Sequence, residues 1–421
     1  MKVLVVGSGG REHAICRALN TANPQPELFI APGNPGTAEC GTNVDLKVDD
    51  IEGIVQFAKD NQVDLVIPGP ELPLVLGIGD ALDAAGIPCC GPSKGPAQLE
   101  GSKAFTREIT LPYDVPAPRF EKVTTSEQLR AAIDSWDGVP VVKADGLASG
   151  KGVFLPETKE GCIEAGEKLL AGEMGDAGSL IVLEERLFGV EASLFYACNG
   201  LDAVALPHAR DHKRLLDGDE GPNTGGMGAI SPNPEITAEL QEQVFQECVL
   251  PTLKALKDGG MPFRGFLFGG FMLTQNGPKL LEYNVRLGDP ETQAILPRLP
   301  DGAFLDLCMK TATNKLEGLA IEESQHATCA IVLAAAGYPE SPRKGDPIIV
   351  GDELSADSCW LIHAGTKTED STLKTSGGRV AAVVSTGDTP ENARTGAYNA
   401  LKHVNFDGVQ YRQDIGSHKE I

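Results

Sequence analysis

Residues 141–152 read Val-Val-Lys-Ala-Asp-Gly-Leu-Ala-Ser-Gly-Lys-Gly. An apolar run delivers Lys143 at its end, and a loop of small residues holding Gly146, Ser149, Gly150, Lys151 and Gly152 follows. Backbone N–H groups of such a loop approach phosphate oxygens closely, and the two lysines add charge. The loop is not a Walker A sequence, because no Ser or Thr follows Lys151 and the chain continues into a strand rather than a helix. A second signal lies at 280–292, Leu-Leu-Glu-Tyr-Asn-Val-Arg-Leu-Gly-Asp-Pro-Glu-Thr. Strand alternation sets Glu282, Asn284 and Arg286 on one face. A carboxylate beside an amide oxygen suits Mg²⁺, a hard cation that accompanies nucleotide phosphates. Arg286 is placed to meet negative charge building on a phosphoryl group in transfer.

Weaker signals accompany these two. Gly7-Ser8-Gly9-Gly10 follows one apolar run and opens a helix, so its N–H groups predict an anion site, with Arg11 adding a guanidinium. The sixth position of this turn is Glu12 rather than Gly, and the second strand ends in Ala31-Pro32 rather than an acidic residue. Both features argue against a dinucleotide cofactor. Residues 91–95 match G-x-S-x-G in form only, and Ser93 reads as a helix N-cap. Residues 183–191 form a strand running into a connection that could offer backbone groups to a purine and Glu191 to a ribose, although a salt-bridged surface is the commoner use of such a stretch. His208 and His212 are four apart, but Pro207 precedes them and a third ligand is missing nearby, so they read as non-metal histidines.

These groups need a scaffold. Apolar runs at 3–6, 28–31 and 63–67 alternate with helical patterns at 12–19, 51–61 and 74–85. That rhythm predicts a doubly wound parallel sheet whose ligand crevice lies at the carboxyl ends of the strands, at 7–10, 32–36 and 68–71. A middle section follows, with helices expected over 125–136, 159–171 and around 235–257 and strands between. From about 327 a small α+β unit begins, with strands near 328–334, 348, 361, 380 and 410 and a helix near 390–404.

The chain has 421 residues, enough for roughly three domains. Its 36 Lys+Arg stand against 59 Asp+Glu, a formal net charge of −23. Such a chain repels nucleic-acid backbones, although a local cluster of cations still binds small anions. The 41 % hydrophobic fraction supports real cores and argues against disorder. None of the ten cysteines forms a CxxC, so reduced core thiols and a cytoplasmic location are expected. Neither a leader peptide nor a membrane span is expected, as the chain runs from Met1 straight into the first strand and lacks a long apolar stretch.

The two strong signals in this order resemble the ATP-grasp fold, in which two α+β subdomains clamp ATP between a Gly-rich lid and a metal-binding strand. The segments VVGSGGREHA, APGNPGTA, GPSKGPAQLEGSK, VVKADGLASGKGV, DHKRLLDGDEGPNTGGMGA, LEYNVRLGDPETQ, HAGTK and YRQDIG resemble the glycinamide ribonucleotide synthetase family from residue 1 to about 416. The resemblance implies an N-terminal domain over 1–102, an ATP-grasp domain over 103–312 with a lid at about 117–187, and a C-terminal α+β domain over 326–421. It implies that glycine's carboxylate attacks the γ-phosphate of ATP and that 5-phosphoribosylamine then attacks glycyl phosphate, a step of purine synthesis.

Residue by residue, the resemblance assigns Lys103, Lys143 and the loop Gly146, Ser149, Gly150, Lys151 and Gly152 to ATP phosphates. Glu184, Glu185 and Leu187 are assigned to the adenine and Glu191 to the ribose. Glu282 and Asn284 would hold Mg²⁺ or Mn²⁺, and Arg286 would stabilise the transition state. Asp211, Lys213 and the loop from Asn223 to Gly228 would shape the glycine side, Gly9, Gly10, Arg11, Asn34 and Glu71 would hold phosphoribosylamine, and Asp289 would be a further substrate contact. The implied partners are these small molecules, with a transient contact to the enzyme that supplies phosphoribosylamine. Many ATP-grasp enzymes carry an extra acidic ligand on the preceding strand, and 266–273 has none. The stretch 106–113 is also short and Pro-broken for the helix expected there. A related carboxylase or formate-using ligase and a nucleotide sensor are the rival readings, separated by a substrate panel and by the presence of Arg286.

Overall fold

The computed structural model describes residues 1–147, 152–351, 354 and 358–417. Ser149, Gly150 and Lys151 lie outside the described residues. The α/β and α+β architecture expected from the sequence is present. At the N-terminus the strand Lys2–Gly7 pairs in parallel with Glu27–Pro32 on one side and Leu65–Pro68 on the other, with Thr42–Asn43 at the edge. Val3, Leu4, Val5 and Val6 are all buried, as a parallel strand covered on both faces requires. The helices Gly10–Leu19 and Ile51–Asp60 follow their strands. The helix expected over 74–85 is instead two, Glu71–Leu76 and Ile78–Ala84. Gly77 separates them at φ +97°, a left-handed conformation that stops an α-helix.

Two antiparallel sheets build the middle of the molecule. The smaller runs in the order Phe120–Val123, Ile181–Glu184, Val141–Ala144, Val153–Phe154. Its helices Ser126–Ser135 and Lys159–Leu170 start at Thr125 and Thr158, whose hydroxyls accept from the N–H groups of Gln128 and Gly161. Leu129, Ile133, Trp136, Val142 and Leu183 form its own core. The larger sheet runs Asp202–Ala205, Val190–Asn199, Arg264–Thr274, Gly277–Asn284. The helix expected around 235–257 is divided into Ala238–Val244 and Leu250–Asp258 by a π-turn at Phe245–Val249. Pro251 has no N–H to return to the preceding turn, so an unbroken α ladder cannot run through this point.

The last sheet has the order Arg210–Asp211, Gly228–Ser231, Ala327–Ala334, Arg379–Gly387, Cys359–His363. Two of its strands come from the middle of the chain. The helix Pro390–Leu401 covers it through Ala393, Ala397 and Leu401. All ten cysteines are free thiols. Among the described residues no helix is long and apolar enough to cross a membrane.

Candidate active site

A cleft of about 380 Å³ opens where the parts of the chain meet. Arg11 and Glu71 reach it from the first turns of the helices Gly10–Leu19 and Glu71–Leu76, Lys103 from the start of a third helix, Gly146 and Gly152 from the lid side, and Glu282, Asn284 and Arg286 from the end of the larger sheet. Asp211, Lys213 and Asp289 complete the opposite wall. The helix that carries Lys103 spans Lys103–Thr110, and Ser102 caps it by accepting the Phe105 N–H at 3.0 Å.

Glu282 and Asn284 sit two apart on the strand Gly277–Asn284 and both face this cleft. Among the described residues the Glu282 carboxylate accepts no hydrogen bond and makes no ion pair, while Asn284 Oδ1 accepts from Arg286 Nη2 at 2.9 Å. An uncommitted carboxylate beside an amide oxygen is a donor set that fits a hard divalent cation. Arg286 lies beyond the strand rather than on it, because regular pairing ends at Asn284. Its guanidinium still turns into the cleft, held by Glu100 Oε1 at 2.7 Å, with Glu71 at 3.8 Å. Lys103 faces the same space, with no ion pair among the described residues. Burial lowers the pKa of its ammonium, and Glu282 works against that.

Glu184 does not offer its side chain to a ligand. It is buried, with Arg107 Nε 2.7 Å from one oxygen and Lys143 Nζ 2.5 Å from the other. Burial alone would raise its pKa, but Lys143 and Arg107 outweigh that and hold it below the usual carboxylate range. Arg107 goes on to donate to the carbonyls of Leu280 at 3.0 Å and Leu281 at 2.8 Å, tying the lid strand Ile181–Glu184 to the strand carrying Glu282. Lys143 is therefore a buried cation with a fixed counterion, set behind the cleft wall rather than in it. Glu185 accepts from Arg119 N at 3.3 Å and pairs with Lys279 at 3.5 Å, and Leu187 is half-buried in the connection after the strand. Neither lines the cleft.

The Gly-rich turn at the N-terminus is already filled. Gly9 donates its N–H to Glu12 Oε2 at 2.5 Å, and Arg11 Nε pairs with Glu12 Oε1 at 2.6 Å. The side chain that breaks the dinucleotide pattern thus takes the place at the helix N-terminus that an anion would occupy, and Gly7 and Gly69 leave it the room. Gly9 and Gly10 do not line the cleft. Asn34 is likewise committed. Its amide donates to the carbonyls of Ser8 at 2.9 Å and His363 at 3.0 Å, and its Oδ1 accepts from Gly36 and Thr37. It fastens a turn rather than facing a ligand. Arg11 and Glu71 do line the cleft.

On the far wall Lys213 Nζ stands 2.9 Å from Glu191 Oε2, and the pairing raises the lysine pKa and lowers that of the glutamate. Glu191 is thus tied to Lys213 rather than standing alone for a ribose. Asp211 lies deeper, with Oδ1 unpartnered among the described residues. Burial, and then the neighbouring Glu291, push its carboxyl well above the usual range. Asn223 pairs with Arg214 in the hairpin of Arg214–Leu216 and Glu220–Asn223, while Thr224 and Gly225 are the residues that reach the cleft. Asp289 accepts from Arg11 N at 3.3 Å and Gln293 Nε2 at 2.8 Å. His212 is buried, with Nδ1 3.3 Å from the Gly228 carbonyl, and His208 Nδ1 accepts the Asn233 N–H at 3.0 Å.

Sequence reasoning passed over Glu100, Arg107, Glu291 and Arg379. Glu100 and Glu291 stand inside the motifs GPSKGPAQLEGSK and LEYNVRLGDPETQ, and a carboxylate within each motif is the signal that could have found them. Arg107 and Arg379 lie outside those motifs, and only the fold brings them to the site.

The phosphoribosylglycinamide synthetase family matches the chain in three consecutive stretches: its N domain over residues 1–100, its ATP-grasp (A) domain over 101–292 and its C domain over 328–418. A phosphoribosylamine–glycine ligase of Rhizobium meliloti (strain 1021) is 44 % identical over 417 residues, 99 % of this chain and 98 % of the relative. The crystal structure of a phosphoribosylamine–glycine ligase from Thermotoga maritima superimposes with a TM-score of 0.87 at 36 % identity, over 99 % of this chain and 100 % of that one. A biotin carboxylase domain from Hydrogenobacter thermophilus reaches a TM-score of 0.73 at 16 % identity, over 97 % of this chain and 91 % of that one, a likeness of fold alone.

Proposed function

Because the chain belongs to the phosphoribosylglycinamide synthetase family, we propose that its cleft joins glycine to 5-phosphoribosylamine with ATP, through glycyl phosphate. It is a phosphoribosylamine–glycine ligase of the ATP-grasp family, the glycinamide ribonucleotide synthetase step of purine biosynthesis. In the first half-reaction a glycine carboxylate oxygen bonds to the γ-phosphorus as the bond to the β-phosphate oxygen breaks and ADP leaves. In the second, the amine nitrogen of phosphoribosylamine bonds to the acyl carbon. The carbon–oxygen bond to phosphate breaks, inorganic phosphate departs and the nitrogen gives up a proton.

Phosphoryl transfer of this kind rests on positioning and charge neutralisation more than on covalent help from the protein. Lys103 supplies an ammonium that lines the cleft. Lys143, pinned to Glu184 behind the cleft wall, adds a buried positive charge that acts on the same phosphates at longer range. Glu282 and Asn284 would hold Mg²⁺ or Mn²⁺, which when bound neutralises phosphate oxygens. Arg286, aimed by Glu100, meets charge on the transferred group. Asp211, Lys213, the turn after Asn223 and Asp289 shape the glycine side, and Arg11 and Glu71 face phosphoribosylamine. Glu184, Glu185 and Leu187 are left as the backbone edge for the adenine, with Gly146 and Gly152 at the ends of the covering loop. We place the reaction in the cytoplasm, in keeping with ten free thiols, and expect a brief contact with the enzyme that delivers phosphoribosylamine.

The observation that carries this reading is the meeting of Lys103, Glu282, Asn284 and Arg286 at one cavity. A coupled assay tests it: phosphate release is expected only when glycine and phosphoribosylamine are both present. Equal release without either, or with bicarbonate in place of glycine, overturns it.

A further inference from the structure

The Gly-rich segment 217–228 is held from outside its own sheet. Gly225 donates its N–H to Tyr338 Oη at 3.0 Å, and its carbonyl accepts from Arg379 Nη1. The same Nη1 donates to the Asp289 carbonyl at 2.6 Å, and Nη2 lies 3.5 Å from Asp289 Oδ1. One guanidinium nitrogen thus bridges the backbones of two turns that line the cleft. No room is left between those turns: a Cβ on Gly226 would collide with Pro290 and lie 2.6 Å from Asp211 Oδ1. Upstream, Arg412 Nη1 pairs with Asp219 Oδ1 at 2.7 Å, Asp414 Oδ2 accepts the Gly218 N–H at 2.8 Å and Gln413 N donates to Asp217 Oδ1 at 2.8 Å. These last contacts anchor the segment at a distance from the cleft. Arg379 alone among these anchors reaches the cavity itself.

Resting on the reading of the cleft as a glycine-ligating site, we propose that Arg379 is a positioning residue contributed by the C-terminal domain. It locks the turn around Gly225 onto the turn around Asp289 and so fixes the wall in front of Asp211, where glycine is activated. A planar guanidinium suits the task, since Nη1 donates to both carbonyls while Nη2 stays beside Asp289 Oδ1, a span that an ammonium in the same place covers less well. A residue that merely held the C-terminal domain in place would affect all substrates alike. A brace on the glycine wall affects glycine selectively, because Lys103 and Glu282, assigned to the ATP side of the cleft, belong to other elements.

The test uses the full-length protein with Arg379→Ala and Arg379→Lys. Phosphate release is measured while glycine and ATP are varied separately, and backbone hydrogen exchange is followed in peptides covering 223–228 and 288–293. Arg379→Ala is expected to raise the glycine KM about tenfold, as for loss of a charge-assisted hydrogen bond. Its ATP KM stays near the original value, exchange quickens in both peptides, and Arg379→Lys recovers part of each change. A selective glycine effect together with faster exchange supports the brace, and any other combination overturns it. If Arg379→Ala does not fold, Arg379→Lys carries the same requirement in weaker form. If the unaltered protein shows no glycine-dependent phosphate release, the functional reading fails. Exchange then judges the brace by itself, and unchanged exchange in both peptides rejects it.

Discussion

Glu100 clamps Arg286 with one carboxylate oxygen, accepting from Nη2 at 2.7 Å, and takes the neighbouring Val285 N–H at 2.9 Å with the other. The arginine is thereby aimed by a side chain at the end of the helix Lys94–Gly101, far from it in sequence. Arg286→Ala should retain ATP binding yet lose turnover by about 10²–10³, the usual effect of deleting a transition-state contact. Glu100→Ala should lose less, about tenfold, since the guanidinium remains but is no longer held. Nucleotide titration beside steady-state rates checks both, and full turnover by Arg286→Ala would remove it from the mechanism.

Glu282 is the uncommitted carboxylate of the cleft. Glu282→Gln keeps the shape and removes the charge, so the concentration of Mg²⁺ giving half-maximal rate should rise about tenfold or more. Asn284→Ala should shift it in the same direction and also loosen Arg286, which shares the Asn284 oxygen. A metal titration of each variant settles the matter, and an unmoved midpoint in Glu282→Gln counts against this pair as the ligands.

Glu184 holds two buried cations. Glu184→Ala strands Lys143 and Arg107 without a counterion and should cost about 3–5 kcal/mol of stability, the range for breaking a buried pair from one side. Denaturant unfolding measures it. A loss below about 1 kcal/mol would mean that water reaches the two cations in the variant.

His13 and His363 give the fold a dependence on acid. The His363 N–H donates to His13 Nδ1 at 2.9 Å, joining the N-terminal helix to the last sheet. Burial pushes His13 down to about 3 and His363 down to about 4, from 6.5. A depressed histidine contributes stability that is complete above pH 6.5 and lost as pH falls toward the folded value, because the unfolded chain binds the proton first. Between pH 7.5 and pH 5, His13 should account for a loss of about 2 kcal/mol. His13→Gln retains an acceptor without the titration, so its stability should fall less over the same interval. Parallel losses in both proteins would contradict the assignment.

The parts legible in the sequence are those with a local cause. The strand Lys2–Gly7, the helices Ser126–Ser135 and Lys159–Leu170 and the pair Glu282 and Asn284 all follow from spacing along a few residues. The Gly7–Gly10 turn was legible as geometry but not as chemistry. Whether its N–H groups await an anion depends on where the Glu12 side chain folds, and that depends on the room beside Gly69. Asn34 misled for a similar reason: a polar residue in a Gly-Pro turn serves a ligand or its own backbone, and here it serves the backbone. Glu184 lay in a recognisable segment, but its partner Arg107 comes from a helix with no motif of its own. Arg379 illustrates the limit most clearly, since it reaches Gly225 and Asp289 only after the last sheet has assembled.

That assembly has a consequence for how the chain can be divided. The strand Ala327–Ala334 is flanked by Gly228–Ser231 on one side and Arg379–Gly387 on the other. The tail of the polypeptide is therefore not a detachable module. A fragment ending before residue 327 would leave Gly228–Ser231 paired only with the two-residue strand Arg210–Asp211 and the turn at Gly225 without Tyr338 and Arg379, so the catalytic half would lose a wall along with its appendage. Insertions near 320 would have to preserve the return of the chain to that strand, and the residues after the last helix are needed too, since Arg412, Gln413 and Asp414 hold the segment 217–219.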